Sequence, residues 1–162
     1  RALGLPDAVA VIRHGDPVRL HAAKDDADAI KQIADLTRQH LNCGYESVAL
    51  IVKTAEEQTS IYEALFNLGM EISPITEETQ EFKAGLCIVT AARAKGLEFD
   101  SVILCDGSDA VYKETRRLDY HLLYVAMTRP LHRLDIVYIK NLTAPLREWE
   151  KSQSLSGEKP LP

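Results

Sequence analysis

Two short segments carry residue types and spacings that can do chemistry. The first is Thr90-Ala91-Ala92-Arg93-Ala94-Lys95-Gly96-Leu97-Glu98-Phe99-Asp100, set between two apolar runs. Thr90 closes a strand-like run, so its hydroxyl and the amides that follow can meet a phosphate. Gly96 allows a positive φ or a close backbone approach, and Glu98 can accept hydrogen bonds from sugar hydroxyls. A tight, glycine-bearing connection is equally common as plain structural grammar. The second segment is Leu122-Leu123-Tyr124-Val125-Ala126-Met127-Thr128-Arg129-Pro130. Leu122, Val125 and Ala126 form a core-facing stripe, and Arg129 falls where Pro130 stops the helix. Arg129 there either satisfies the last helical carbonyls or is held out as a rigid cation for a nucleotide phosphate.

The elements that must position these segments alternate between short apolar runs and helical patterns. Val9–Ile12 reads as a strand, Gly15-Asp16-Pro17 as a turn, and Val18–Ala22 alternates. A helix capped by Asp25 or Asp26 follows, with Ile30, Ile33, Ala34, Thr37 and Leu41 on one face and an end near Gly44. Ser47–Val52 is continuously apolar, as a strand covered on both faces must be. A capping box at Thr54 and Glu57 opens the next helix, whose face is Ile61, Ala64, Leu65 and Leu68 before Gly69. After an extended piece at Ile72 and a turn at Thr76, Leu86–Val89 and Ser101–Cys105 read as two more buried strands. A helix over 119–128, a strand over 134–139 and a helix over 141–151 complete the pattern. Asp106, directly after a strand, reads as a turn residue.

This alternation predicts an α/β domain with a largely parallel sheet. In such folds ligands bind outside the carboxyl ends of the strands. That directs attention to Lys53 and Thr54, to Thr90 onward, and to the loop after Cys105. The boundaries are one domain over residues 1–150 and a flexible polar tail over 151–162.

The bulk numbers fit that reading. A chain of 162 residues, 46% hydrophobic and 27% charged, has the length and make-up of a single globular domain. No apolar run is long enough to span a bilayer, and no signal peptide opens the chain, so a cytoplasmic, non-membrane protein is expected. The start at Arg1 suggests a piece of something longer. A net charge of −5 argues against a module that grips nucleic acid by broad electrostatics. Cys43, Cys87 and Cys105 have no metal-ligand spacing and read as small hydrophobes in a reduced compartment. His14, His21, His40, His121 and His132 are scattered and are expected on surfaces or helix faces, with no metal site. Lys113, Arg116 and Arg117 read as a solvated loop that can also touch a nucleic-acid backbone.

Together, TAARAKGLEFDSVIL and LLYVAMTRPLHRL resemble helicase motifs V and VI of the UvrD/Rep/HelD group in superfamily I. Val48–Thr54 with its following helix looks like motif IV, so the resemblance covers roughly residues 47–140. It implies the C-terminal RecA-like domain of a helicase or translocase, three-layered with helices on both faces of the sheet. It also implies roles by position. Arg129 matches the catalytic motif VI arginine that reaches the γ-phosphate. Glu98 matches the motif V glutamate on the ribose, with Gly96 shaping the loop. Thr90 matches the threonine turned toward single-stranded nucleic acid, and Tyr124 and Val125 look like packing for the motif VI helix. Lys53 stands where the UvrD branch has a phosphate-binding arginine, keeping the charge without the bidentate fork. Ala92 stands where a histidine is common, with Arg93 a substitute phosphate contact, and Pro130 replaces the usual alanine.

Lys53 and Thr90 lie about 37 positions apart, too close for the accessory domain that UvrD and Rep insert there. That compactness resembles the HelD type, whose members include factors acting on RNA polymerase, with the RecD-like branch a second resemblance. The chain has no G-x-x-x-x-G-K-[ST] phosphate loop and no Walker B acid pair. ATP and Mg2+ are therefore expected in the full-length protein, with none bound to this piece and no hydrolysis by it alone. The implied partners are an N-terminal RecA-like domain of the same protein and single-stranded DNA, with RNA polymerase as the alternative.

Overall fold

The computed structural model of the chain describes residues 18–79 and 84–155, without the side chains of 153–155. The expected strand at Val9–Ile12, the turn at Gly15–Pro17, His14 and the tail beyond residue 155 lie outside the described residues. Six strands form one parallel sheet: β1 (Val18–Ala23), β2 (Ser47–Val52), β3 (Ser73–Pro74), β4 (Gly85–Thr90), β5 (Phe99–Leu104) and β6 (Pro130–Ile139), ordered β1-β6-β5-β2-β4-β3. The helices are α1 (Asp26–Asn42), α2 (Ala55–Asn67), α3 (Ala91–Ala94), α4 (Arg117–Met127) and α5 (Ala144–Leu155). The α/β three-layer architecture is as the alternation predicts. The last helix reaches Leu155, past residue 151 where a flexible tail was expected to begin.

Local sequence explains the boundaries. Asp25 caps α1 by accepting from the Asp28 amide at 2.8 Å, and Thr54 caps α2 by accepting from Glu57 N at 3.2 Å. Glu57 turns one residue further back than a capping box requires and accepts from Lys53 N. Gly44 and Gly69 take positive φ of 84° just past the two helices, a backbone region with little penalty only for glycine.

The central strands are covered on both faces, which is why they read as unbroken apolar runs. Ala49, Ile51, Val89, Val102 and Leu104 point into a core shared with Tyr120, Leu123 and Ala126 of α4. Val48, Leu50, Ile88 and Ile103 point into a second core with Ile33 of α1 and Leu65 of α2. Two stripe assignments are corrected at helix ends: Leu41, in the last turn of α1, and Leu68, the C-cap of α2, are exposed. In α4, Leu123 is fully buried, whereas Leu122 only packs against the core. Cys87 and Cys105 are buried, and burial pushes the Cys87 thiol up to about 12.

Helices α1 and α2 lie on one face, and α4 on the other. The chain therefore switches faces between β2 and β5, and beside that point the first turns of α1 and α2 and the residues after β5 line a crevice of about 420 Å³. Such switch points are where open α/β sheets usually hold ligands. Here the crevice is lined by Asp26, Glu56, Glu57 and Asp106 and, among the described residues, by no Lys or Arg. Burial raises the Glu57 carboxyl above its usual range, with the neighbouring Asp106 adding to the rise. A phosphate would meet like charge there.

Candidate functional site

The later part of the first chemistry-bearing segment, Lys95–Asp100, meets the end of the second at the opposite, amino edge of the sheet. After Thr90 the chain makes the single turn α3, then descends through Lys95–Glu98 to enter β5 at Phe99. Gly96 sits at φ +86°, and beyond its two chain neighbours no atom of the described residues lies within 4 Å of where a Cβ would stand. The requirement for glycine is therefore conformational rather than steric crowding. Leu97 N donates to Ala94 O at 2.9 Å, closing the turn.

Helix α4 descends on the same face and ends beside this turn. Thr128 is its C-cap, and Pro130 begins β6 in register with Phe99. The Phe99 amide donates to Arg129 O at 3.1 Å, so the backbones of the two segments are bonded to each other. The Arg129 guanidinium donates to Val125 O (3.1 Å), Leu97 O (3.3 Å) and Thr128 Oγ1 (3.1 Å). Both readings of Arg129 find something here. It does satisfy a last-turn carbonyl, yet every acceptor is neutral, the side chain is half-buried, and no carboxylate among the described residues neutralises it. Glu98 is exposed on the adjoining turn.

The other proposed site residues are not with them. Lys53 and Thr90 end neighbouring strands at the carboxyl edge, where Val52 pairs with Thr90. Lys53 Nζ lies 2.7 Å from Asp119 Oδ1 and donates to Val111 O at 2.7 Å, with the Tyr112 ring centroid 5.8 Å away. Burial opposes ionisation of Asp119, but bonds from Lys53 and the Lys113 amide and the Arg116 charge outweigh it, so its carboxyl lies below its usual range. Asp119 opens α4 and Arg129 follows its end, about 15 Å away along the axis. Lys53 and Arg129 thus face opposite edges of the sheet. Thr90 is buried and its side chain makes no capping bond to α3. Arg93 pairs with Glu77 Oε1 at 2.8 Å on the surface.

Three further expectations are settled by geometry. Asp106 is a turn residue: its Oδ1 accepts from Ser108 N at 3.0 Å and from the Ser108 hydroxyl. Tyr124 is 40% exposed, so it is not core packing for α4, although Val125 is. His40 is not on a surface. It is fully buried, with Nε2 2.6 Å from Asp135 Oδ2 and Nδ1 2.8 Å from Ser101 Oγ. His21 approaches the other Asp135 oxygen at 2.7 Å, and Arg133 Nε donates to Oδ2 at 2.7 Å. Burial opposes ionisation of Asp135, and these three donors together hold its carboxyl well below the usual range. The network is closed off between α1 and the sheet, where no substrate can reach Ser101. The sequence signal was weak: an Asp inside the apolar β6 run, with its partners far away in the chain. Among the described residues, no His, Cys, Asp and Glu group is arranged to hold a metal ion, and no helix is long and apolar enough to cross a membrane.

Residues 70–141 match the family model of the UvrD-like helicase C-terminal domain, a stretch that includes both segments at the amino edge. The fold is similar to the C-terminal domain of a possible DNA helicase from Lactobacillus plantarum WCFS1, with 25% identity and a TM-score of 0.74, covering 88% of this chain and 86% of that one. It is also similar to S. cerevisiae Dbp5 bound to RNA and ADP BeF3, with 15% identity and a TM-score of 0.56, covering 89% of this chain and 40% of Dbp5. The arterivirus nonstructural protein 10 helicase in complex with DNA has 9% identity and a TM-score of 0.52, covering 99% of this chain and 44% of that one. These last two likenesses concern the fold alone, and this chain spans less than half of either protein. No match to a curated protein sequence is found.

Proposed function

We propose that the chain is the second motor domain of an ATP-dependent superfamily I DNA helicase or translocase, and that its amino edge forms one wall of the nucleotide cleft. The observation that carries this reading is Arg129. It is a cation at a helix end, held only by neutral acceptors and bonded to the turn that carries Gly96 and Glu98. Its donor set fits a phosphate, and Glu98 beside it fits ribose hydroxyls. ATP, with Mg2+ held by the opposing domain, would supply the bond that is hydrolysed. Arg129 would exchange its carbonyl partners for a phosphate and stabilise charge there, while the Gly96 turn keeps Glu98 in reach.

The alternative reading, a HelD-type factor that remodels RNA polymerase, rests on the short interval between Lys53 and Thr90. It shares the same nucleotide wall. The test is ATP turnover by the full-length protein with and without single-stranded DNA. Arg129→Ala is expected to lower turnover about a thousandfold at a temperature where melts show the variant folded. Turnover that survives the substitution sinks the assignment. Stimulation by RNA polymerase but not by DNA favours the alternative.

A further inference from the structure

Lys53 was expected at a phosphate, yet its ammonium sits in a ready-made internal site. Asp119 and the Val111 carbonyl each lie 2.7 Å from Nζ, and the Tyr112 ring lies against it. The Lys53 side chain is 14% exposed and that of Asp119 is 2% exposed. The second Asp119 oxygen accepts from Lys113 N at 2.9 Å, so the carboxylate gathers the connection before α4 as well as the end of β2. Arg116, at the N-cap position of α4, makes no side-chain capping bond. Asp119 is therefore the directional anchor of the first turn.

We propose that the Lys53–Asp119 pair is a positioning device for Arg129, fixing how far α4 reaches along the sheet. This rests on Arg129 facing a nucleotide phosphate. The end of α4 is tied to the Gly96 turn by the Phe99 amide and the Arg129 guanidinium, and between its two ends the hold is apolar, through Tyr120, Leu123, Ala126 and Met127. Apolar burial is strong but non-directional, so it tolerates a slide along the helix axis. A charge-assisted bond fixes a position to within a fraction of an ångström. A hydrogen-bonded helix is stiff along its axis, so a slip at Asp119 pulls against the bonds that hold Arg129 to the Gly96 turn. Lys53 is thereby a positioning residue that acts through α4, and it does not touch the nucleotide.

The test uses the full-length protein and measures kcat and KM for ATP alongside thermal melts. Lys53→Met and Asp119→Asn are each expected to lower kcat about 10- to 100-fold, as small misplacements of a reacting group do, with KM little changed. Lys53→Arg, which can keep the pair, should recover most of the loss. Asp119→Asn leaves a buried ammonium unpaired, so Lys53→Met/Asp119→Leu, which removes both charges, serves if a single variant melts early. That double variant should be no slower than the worse single one, because both remove the same contact. The proposal is overturned if Lys53→Met raises KM sharply while Asp119→Asn leaves both constants alone, since Lys53 is then a phosphate ligand. It is also overturned if the double variant turns over like wild type. If Arg129→Ala has no effect on turnover, the reading of Arg129 fails instead, whatever the pair does.

Discussion

The guanidinium of Arg129 donates to the main-chain carbonyl of Leu97 at 3.3 Å, so the end of α4 and the Gly96 turn are bonded through a side chain as well as through the backbone. The conformation of one therefore sets the conformation of the other. Any change in the turn is felt at the cation, and withdrawal of the cation frees the Leu97 carbonyl.

Gly96→Ala tests the turn. Its φ of +86° is strained for any residue with a Cβ, while the space around that Cβ is open. The expected loss is about 1–2 kcal/mol from the backbone alone, or a drop of about 2–8 °C in Tm. A relaxed turn would also shift Leu97 and lower ATP turnover at a temperature where the variant is folded. An unchanged melting curve would mean that the turn adapts freely.

Arg93 bears on nucleic acid. Its present partner is the exposed Glu77, and exposed pairs of this kind contribute little. On the proposed function, Arg93→Ala weakens single-stranded DNA binding uniformly across sequences and reduces the salt slope by about 1. Glu77→Gln, which releases Arg93, should strengthen binding modestly. A titration series over salt concentration reads both effects, and a slope that stays the same removes Arg93 from the contact surface.

Asp135 governs acid stability. Its carboxyl titrates below the ordinary range when folded, so its contribution is complete above the unfolded carboxylate range, near pH 4, and fades as pH falls further. Asp135→Asn breaks a buried cluster and should cost about 3–5 kcal/mol at neutral pH. The variant should also lose less on acidification than wild type does. Denaturant melts at neutral pH and near pH 3 supply the comparison. Equal acid slopes for the two proteins would contradict the prediction.

Glu57 carries the opposite sign. Burial raises its carboxyl, so the charged form at neutral pH weighs against the fold, and this burden lifts as pH falls through the raised value. Glu57→Gln should raise Tm at pH 7 by about 1–3 °C, while the amide still accepts from Lys53 N. The advantage should shrink toward pH 4. A variant that is less stable at both pH values would show that the carboxylate is needed for charge.

Much of the fold was legible because its signals are local. Asp25, Thr54, Gly44 and Gly69 mark helix ends through their own backbones, and the unbroken runs at Ser47–Val52 and Ser101–Cys105 announce strands buried on both sides. Arg129 with Gly96 and Glu98 was visible as two motifs, although the general rule for α/β sheets pointed to the other edge. The acidic lining of the switch-point crevice makes that edge a poor host for a phosphate. What escaped depends on pairs remote in sequence. Lys53 finds Asp119, and His40 finds Asp135, only once strands are ordered in the sheet. Leu41 and Leu68 were misplaced because helical phase predicts a face, not whether the core extends under the final turn.

Pro130 starts β6 with no linker after Arg129, and five positions later the same strand delivers Asp135 to the opposite layer. The distance between the two is counted in whole residues, and alternate residues of a strand face opposite ways. From Arg133 onward the register with β5 is regular, so one inserted or deleted residue between Arg133 and Asp135 would turn Asp135 toward α4 and leave His40 facing an apolar side chain. That part of β6 can therefore accept exchanges of side chain but not changes of length, whereas between Pro130 and Arg133 the strand already holds one residue more than β5 opposite it. Natural length variation in relatives should gather in the Asp106–Arg116 connection and be missing between Arg133 and Asp135.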